Sequence, residues 1–176
     1  MIEVQIILRK IMKKKKTESG IIISQVMLPQ DANPAGLVHG GVIMKHIDNA
    51  AGVVATRHTR MVCVTASIDR LDFYNPVHIG NFVTFKASVN HVGKTSMEVG
   101  VRVETEDLIT GVMTHTASAY LTFVALGSNF KPVKAPQLKL TTKDELRRNN
   151  EAQKRRKVRL SEKTVEKKCQ EDLENS

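Results

Sequence analysis

The chain has 176 residues, with 27 Lys and Arg against 18 Asp and Glu for a net charge of +9. That length suits one domain with tails and excludes two full-sized ones, since a domain usually needs roughly 100–150 residues to enclose its core. The charge is confined to the ends, with 6 basic against 2 acidic residues in 1–20 and 14 against 8 in 131–176, so the near-neutral middle gives no reason to expect a nucleic-acid or anionic-membrane partner.

At the amino terminus, the apolar stretch Met1–Leu8 precedes Arg9, Lys10 and Lys13–Lys16, the reverse of the order in a secretory signal. No apolar run reaches the ~20 residues that cross a bilayer, so no membrane span is expected. Met12 is an alternative start, which would make 1–11 an extension. Residues 1–19 are taken as a basic extension, 20–129 as the folded domain and 130–176 as a charged tail.

Residues 21–27, Ile-Ile-Ile-Ser-Gln-Val-Met, form a β-prone run that stops at Pro29, and 30–36 form a turn region rich in Asp, Asn, Pro and Gly. From Val42 the spacing becomes helical, with Ile43, Ile47, Ala50 and Val54 on one stripe and Met44, Ala51 and Ala55 on the next. A helix so apolar should be wrapped on most sides. Four period-two runs follow. In the first, Val62, Val64, Ala66 and Ile68 alternate with Cys63, Thr65, Ser67 and Asp69 as far as Phe73. The others centre on Val83–Val89, Met97–Val103 and Val112–Leu126, joined by short turns at Asn75-Pro76, Gly93-Lys-Thr95 and Asp107–Gly111. Short links cannot make parallel crossovers. The expected fold class is therefore α+β, an antiparallel sheet wrapped around one long helix. Beyond Leu126 the chain passes Pro132 and Pro136 into a segment with few aliphatics, expected to be solvated and partly helical. Cys63 and Cys169 are far apart without metal-ligand spacing, so neither a disulfide framework nor a metal site is expected, and a reducing, cytoplasmic setting fits.

Asp48 stands on the Met44–Ala51–Ala55 stripe, where a carboxylate is costly unless hydrogen-bonded or functional, and where burial would raise its pKa toward that of a general base. Backbone capping or a place at a subunit interface would explain it equally. The loop before the helix holds Asn33, His39, Gly40 and Gly41. Its glycines allow close approach to the backbone, and the helix amides offer donors to a carbonyl oxygen that gains charge in acyl transfer; the other reading is a turn that needs glycine for its own geometry. His39 reads either as a base or as a loop residue bonding the helix start. Thr65, on the polar side of its strand, has a hydroxyl able to hold a water near the helix. The Gly93-Lys94-Thr95-Ser96 turn offers amides, hydroxyls and a cation to a phosphate, or is an ordinary hairpin turn, and Arg57 suits either a ligand contact or the negative end of the helix dipole.

The ordered set Pro29-x-Asp31-x-Asn33-x-x-Gly36-x-x-x-Gly40-Gly41, Ile47-Asp48-Asn49-Ala50-Ala51-Gly52 and Ala55-Thr-Arg-His58 resembles the acyl-CoA hydrolase family of hot-dog thioesterases. Val64-Thr65-Ala66-Ser67, Phe73-Tyr-Asn-Pro76, Ile79-Gly80 and Gly93-Lys-Thr-Ser-Met97 extend the likeness over about residues 20–127, and the tail is similar to the charged helical tails of brain-type acyl-CoA hydrolases. The resemblance implies hydrolysis of fatty acyl-CoA to free acid and CoA, with no metal or organic cofactor, at sites shared between two subunits. It implies Asp48 as general base or nucleophile, Asn33 orienting the thioester or water from across the dimer, and Thr65 assisting. With that activity, the Gly40 and Gly41 amides, with His39 beside them, are the groups expected to polarise the thioester carbonyl. Arg57, Gly93, Lys94, Thr95 and Ser96 would meet the CoA phosphates. The resemblance also implies a homo-oligomer with a dimer as its unit, commonly a hexamer built as a trimer of dimers. The competing readings are a hot-dog module that binds acyl-CoA without cleaving it, a nucleic-acid-binding protein acting through the basic tails, and a dehydratase using His39 as base.

Overall fold

The computed structural model describes residues 20–174; the expected extension at 1–19 lies outside them. The elements in chain order are strand β1 (Gly20–Val26), a single 3-10 turn (Pro29–Asp31), helix α1 (Gly40–Thr59), strands β2 (Val62–Phe73), β3 (Phe82–Val92), β4 (Ser96–Glu106) and β5 (Met113–Leu126), and helix α2 (Lys143–Glu174). The strands form one antiparallel sheet in the order β1-β3-β4-β5-β2. Helix α1 packs against all five, which is the hot-dog arrangement expected from the short strand connections.

The alternation in β3, β4 and β5 explains the core. Val83, Phe85, Ala87 and Val89 share one face with Met97, Val99, Val101 and Val103 and with Ala117, Ala119, Leu121, Phe123 and Ala125, and all are buried. Facing them, Ile43, Ile47, Ala50, Ala51, Val54 and Ala55 line the inner side of α1. Each large aliphatic or aromatic side chain closed in this way contributes about 1.5–3 kcal/mol. The alanines let the helix lie close to the sheet. The expectation that α1 is wrapped on most sides is too strong: Met44 and Val53 stay 39% and 44% exposed, so one flank of the helix is open in the single chain.

Strand β2 departs most from its expected pattern. Two register shifts, between Thr65 and Ser67 and between Ile68 and Arg70, break strict alternation. Because directly paired residues share a sheet face, Cys63, Thr65, Ile68, Leu71 and Phe73 lie opposite the buried Ala125, Phe123, Leu121, Ala119 and Ala117 and turn toward the helix. Val62 and Val64 point the other way and are 56% and 43% exposed. The bulges thus move Ile68 from the valine face to the helix face. β2 is also an edge strand twelve residues long.

After β5 the chain folds back. Val133 N–H donates to Ala125 O (2.9 Å), Ala135 N–H to Lys94 O (3.0 Å) and the Gln137 amide to Gly93 O (3.0 Å), so this segment seals the β3–β4 turn. The chain divides into two compact units at Lys139/Leu140, and the second is mainly α2. At the start of α2 the Glu145 carboxylate accepts from the Thr141 N–H (2.7 Å) and from the Thr141 and Thr142 hydroxyls. Along the helix, Arg147 pairs with Glu151 at 3.0 Å. Among the described residues no helix is long and apolar enough to cross a membrane.

Candidate active site

Asn33 is held by its own loop. Its Oδ1 accepts the Ala35 N–H (2.9 Å) and the Leu37 N–H (3.2 Å), and its backbone N–H donates to Leu37 O (2.7 Å). This Asx turn uses the oxygen of the amide and leaves Nδ2 as an uncommitted donor among the described residues. Asn33 and Gly40 both line a cavity of about 400 Å³, together with buried Ile43, Val38 and Val77 and with the exposed Phe73 and Tyr74. No Lys, Arg, Asp or Glu borders the cavity.

His39 sits at the N-cap of α1, where its Nδ1 accepts the Gly41 N–H at 2.8 Å. That contact gives His39 the capping role, one of its two sequence readings, and commits the Gly41 amide to the protein. The expected pair of amides facing a carbonyl is therefore reduced to one, the Gly40 N–H, which has no partner among the described residues. The Phe73 ring lies beside Gly40, where an added Cβ would meet its Cζ at 3.7 Å, an ordinary van der Waals contact.

Asp48 is half-buried, and its Oδ1 accepts the Thr65 hydroxyl at 2.6 Å. Its pairing with the buried Phe123 puts the Thr65 hydroxyl on the helix side of the strand. Neither residue borders the Asn33 cavity. Eight residues of helix separate Gly40 from Asp48, about 12 Å along the axis and roughly 80° around it. A single carbonyl cannot contact both in one chain.

Nearby groups shift in ways their surroundings explain. Partial burial lowers the pKa of His46, helped by Lys45 and opposed by Asp31, and its ring packs near Phe85 at 5.6 Å between centroids. Burial raises the Cys63 thiol, opposed by hydrogen bonds from Thr59 and Thr56.

The remaining candidates gather at the other end of α1. His58 Nε2 donates to Pro136 O (2.8 Å), and the adjacent Ala135 N–H donates to Lys94 O of the Gly93–Ser96 turn, which ties that turn and the end of α1 to the same returning segment; Arg57 is exposed. All four turn carbonyls are taken: Gly93 O by Gln137, Lys94 O by Ala135, Thr95 O by Ala125 and Ser96 O by Gly93. The Lys94 and Thr95 amides have no partner among the described residues, and amides presented this way suit an anion. The motif reading did not mark Ile43, Phe73, Tyr74 or Val77 as site residues; an aromatic pair ending a β-run just before Asn75-Pro76 is the signal that would have found them.

The thioesterase superfamily profile matches residues 35–112. A Bacillus subtilis protein named as an uncharacterised acyl-CoA thioester hydrolase, YkhA, is 39% identical over 146 residues, 83% of this chain and 85% of its own length. This chain belongs to the thioesterase superfamily, in its acyl-CoA hydrolase branch. Among solved structures, an apo-hexameric acyl-CoA thioesterase is 36% identical with a TM-score of 0.81, covering 85% of this chain and 96% of its own. The Staphylococcus aureus acyl-CoA hydrolase, solved with butyryl-CoA, CoA and CoA disulfide, is 32% identical with a TM-score of 0.84, covering 91% and 98%. Structures of three alanine variants of that S. aureus hydrolase replace an asparagine, an aspartate and a threonine separated by 15 and 17 residues. Asn33, Asp48 and Thr65 of this thioesterase have the same separations.

Proposed function

We propose that this protein hydrolyses fatty acyl-CoA to free acid and CoA at sites built from two copies of the chain. The carrying observation is the split of its polar groups. Asn33 and the free Gly40 amide border one apolar cavity, while Asp48 and Thr65 form a separate pair too far along α1 to act on the same carbonyl. The matching residue separations in the S. aureus variants support these three positions as a set.

In this reading the thioester oxygen accepts from the Gly40 N–H and Asn33 Nδ2 of one chain, which stabilise the charge that develops on it. Asp48 of the second chain takes a proton from a water held beside Thr65, and hydroxide adds to the carbonyl carbon. Collapse breaks the C–S bond, and the proton on Asp48 passes to the departing CoA sulfur. The outward amides of Lys94 and Thr95, the Ser96 hydroxyl and Arg57 serve the CoA phosphates. The reading invokes no metal or organic cofactor and places the protein in the cytoplasm. A long edge strand with outward Val62 and Val64 is an aggregation hazard unless paired, which supports β2 as the seam between copies. The hexameric relative supports a trimer of such dimers.

The test is release of CoA from acyl-CoA of several chain lengths by wild type, Asn33→Ala and Asp48→Ala. Each substitution should lower kcat/KM by about 100-fold or more. Full activity in both variants would refute the assignment.

A further inference from the structure

The cavity beside Asn33 has features that the hydrolysis reading alone does not use. Its floor is Ile43, Val38 and Val77, all buried, and no charged side chain borders it. Such a lining disfavours the charged phosphates of CoA and suits a hydrocarbon. Its polar corner, Asn33 and Gly40, lies where the thioester oxygen is placed, so the cavity begins at the reacting carbon. The space, about 400 Å³ and open to one side, is larger than an acetyl group needs.

Phe73 lines this space and is the largest side chain bordering Gly40. It ends β2 and faces the helix side through its pairing with Ala117, with its ring beside Gly40. The ring is 48% exposed, packed against the helix start but open elsewhere. Phe73 and Gly40 border the same space, so a chain that fills it from the Gly40 amide meets the ring.

The geometry points to Phe73 as the residue that sets acyl chain length, with the Ile43–Val38–Val77 cavity as the acyl pocket. This rests on the hydrolysis reading above and adds which side chain limits the substrate. Each methylene that enters should raise kcat/KM by about four-fold, until the chain meets the Phe73 ring or fills the floor, after which the gain stops. Phe73→Ala enlarges the space and moves the plateau to longer chains; Phe73→Trp moves it to shorter ones.

The experiment measures kcat/KM for saturated acyl-CoA from two to sixteen carbons with wild type, Phe73→Ala and Phe73→Trp, with thermal melts confirming folding. A second enlargement, Ile43→Val at the floor, should also favour longer chains. Opposite shifts of the plateau in the two Phe73 variants support the assignment. An unchanged profile overturns it, as does a loss equal at every length, because a ring that only braces the strand edge or a subunit contact would weaken all substrates alike. Should the wild type cleave no acyl-CoA of any length, the hydrolysis reading itself fails, an outcome distinct from an active enzyme whose profile ignores Phe73.

Discussion

The His39 imidazole and the Gly41 backbone depend on each other. Nδ1 accepts the Gly41 N–H at 2.8 Å, and a Cβ on residue 41 would lie 2.9 Å from that same nitrogen, so only glycine lets the ring approach. His39→Ala uncovers a helix donor and Gly41→Ala pushes the ring away, and each should cost about 1 kcal/mol, a fall in Tm of about 2–4 °C. His39→Asn keeps a side-chain acceptor for the helix and should retain both Tm and kcat within a few-fold. A loss of kcat of about 100-fold with an unchanged Tm would instead make His39 a catalytic base. The motif placed His39 at the helix start, but nothing in it distinguished a cap from a base. That choice depends on ring orientation, which a sequence spacing does not encode.

On strands β3 and β4, Lys86 is directly opposite Arg102, a repulsive pairing of like charges. Glu104 relieves it, accepting from Lys86 Nζ and from Arg102 Nε at 2.7 Å. The Arg102 hydrogen bond, then that of Lys86, holds the Glu104 carboxyl below the usual glutamate range, against an opposing effect of burial. A carboxylate with a lowered folded-state pKa stabilises the protein above its unfolded pKa, and the contribution disappears as pH falls through the folded value. Glu104→Gln should cost about 0.5–1 kcal/mol at neutral pH and low salt, with the gap to wild type closing below about pH 4. Urea melts of both proteins across pH, with a gap that persists in acid, would contradict this ion-pair account. Much at this scale could be read in advance: period-two valines marked the buried faces of β3 and β4, and the stripe through Ile43, Ile47 and Val54 marked α1. The reading of β2 failed at Ala66 and Asp69. Each adds a residue to one strand only, so Ile68 changes face without any change in composition. Strand order was equally hidden, because short turns show that strands are antiparallel and not that β2 and β1 end up as the two edges.

Taken as a whole molecule, the single chain holds two incomplete half-sites on α1 and exposes a long strand edge beside one of them. The ordered motif identified Asn33, Asp48 and Thr65, and the resemblance already implied a site shared between two copies; the distance along α1 between Gly40, beside Asn33, and Asp48 supplies a physical reason for it. The account stands on that need. Asn33→Ala and Asp48→Ala chains carrying different affinity tags can be co-expressed and the mixed assemblies purified through both tags. If the sites are shared, a mixed pair has one intact site and one doubly damaged site, so random mixing should restore about a quarter of wild-type acyl-CoA hydrolysis from two nearly inactive parents. Mixed assemblies no more active than either parent would show that Asn33 and Asp48 act within one chain, and would contradict the account.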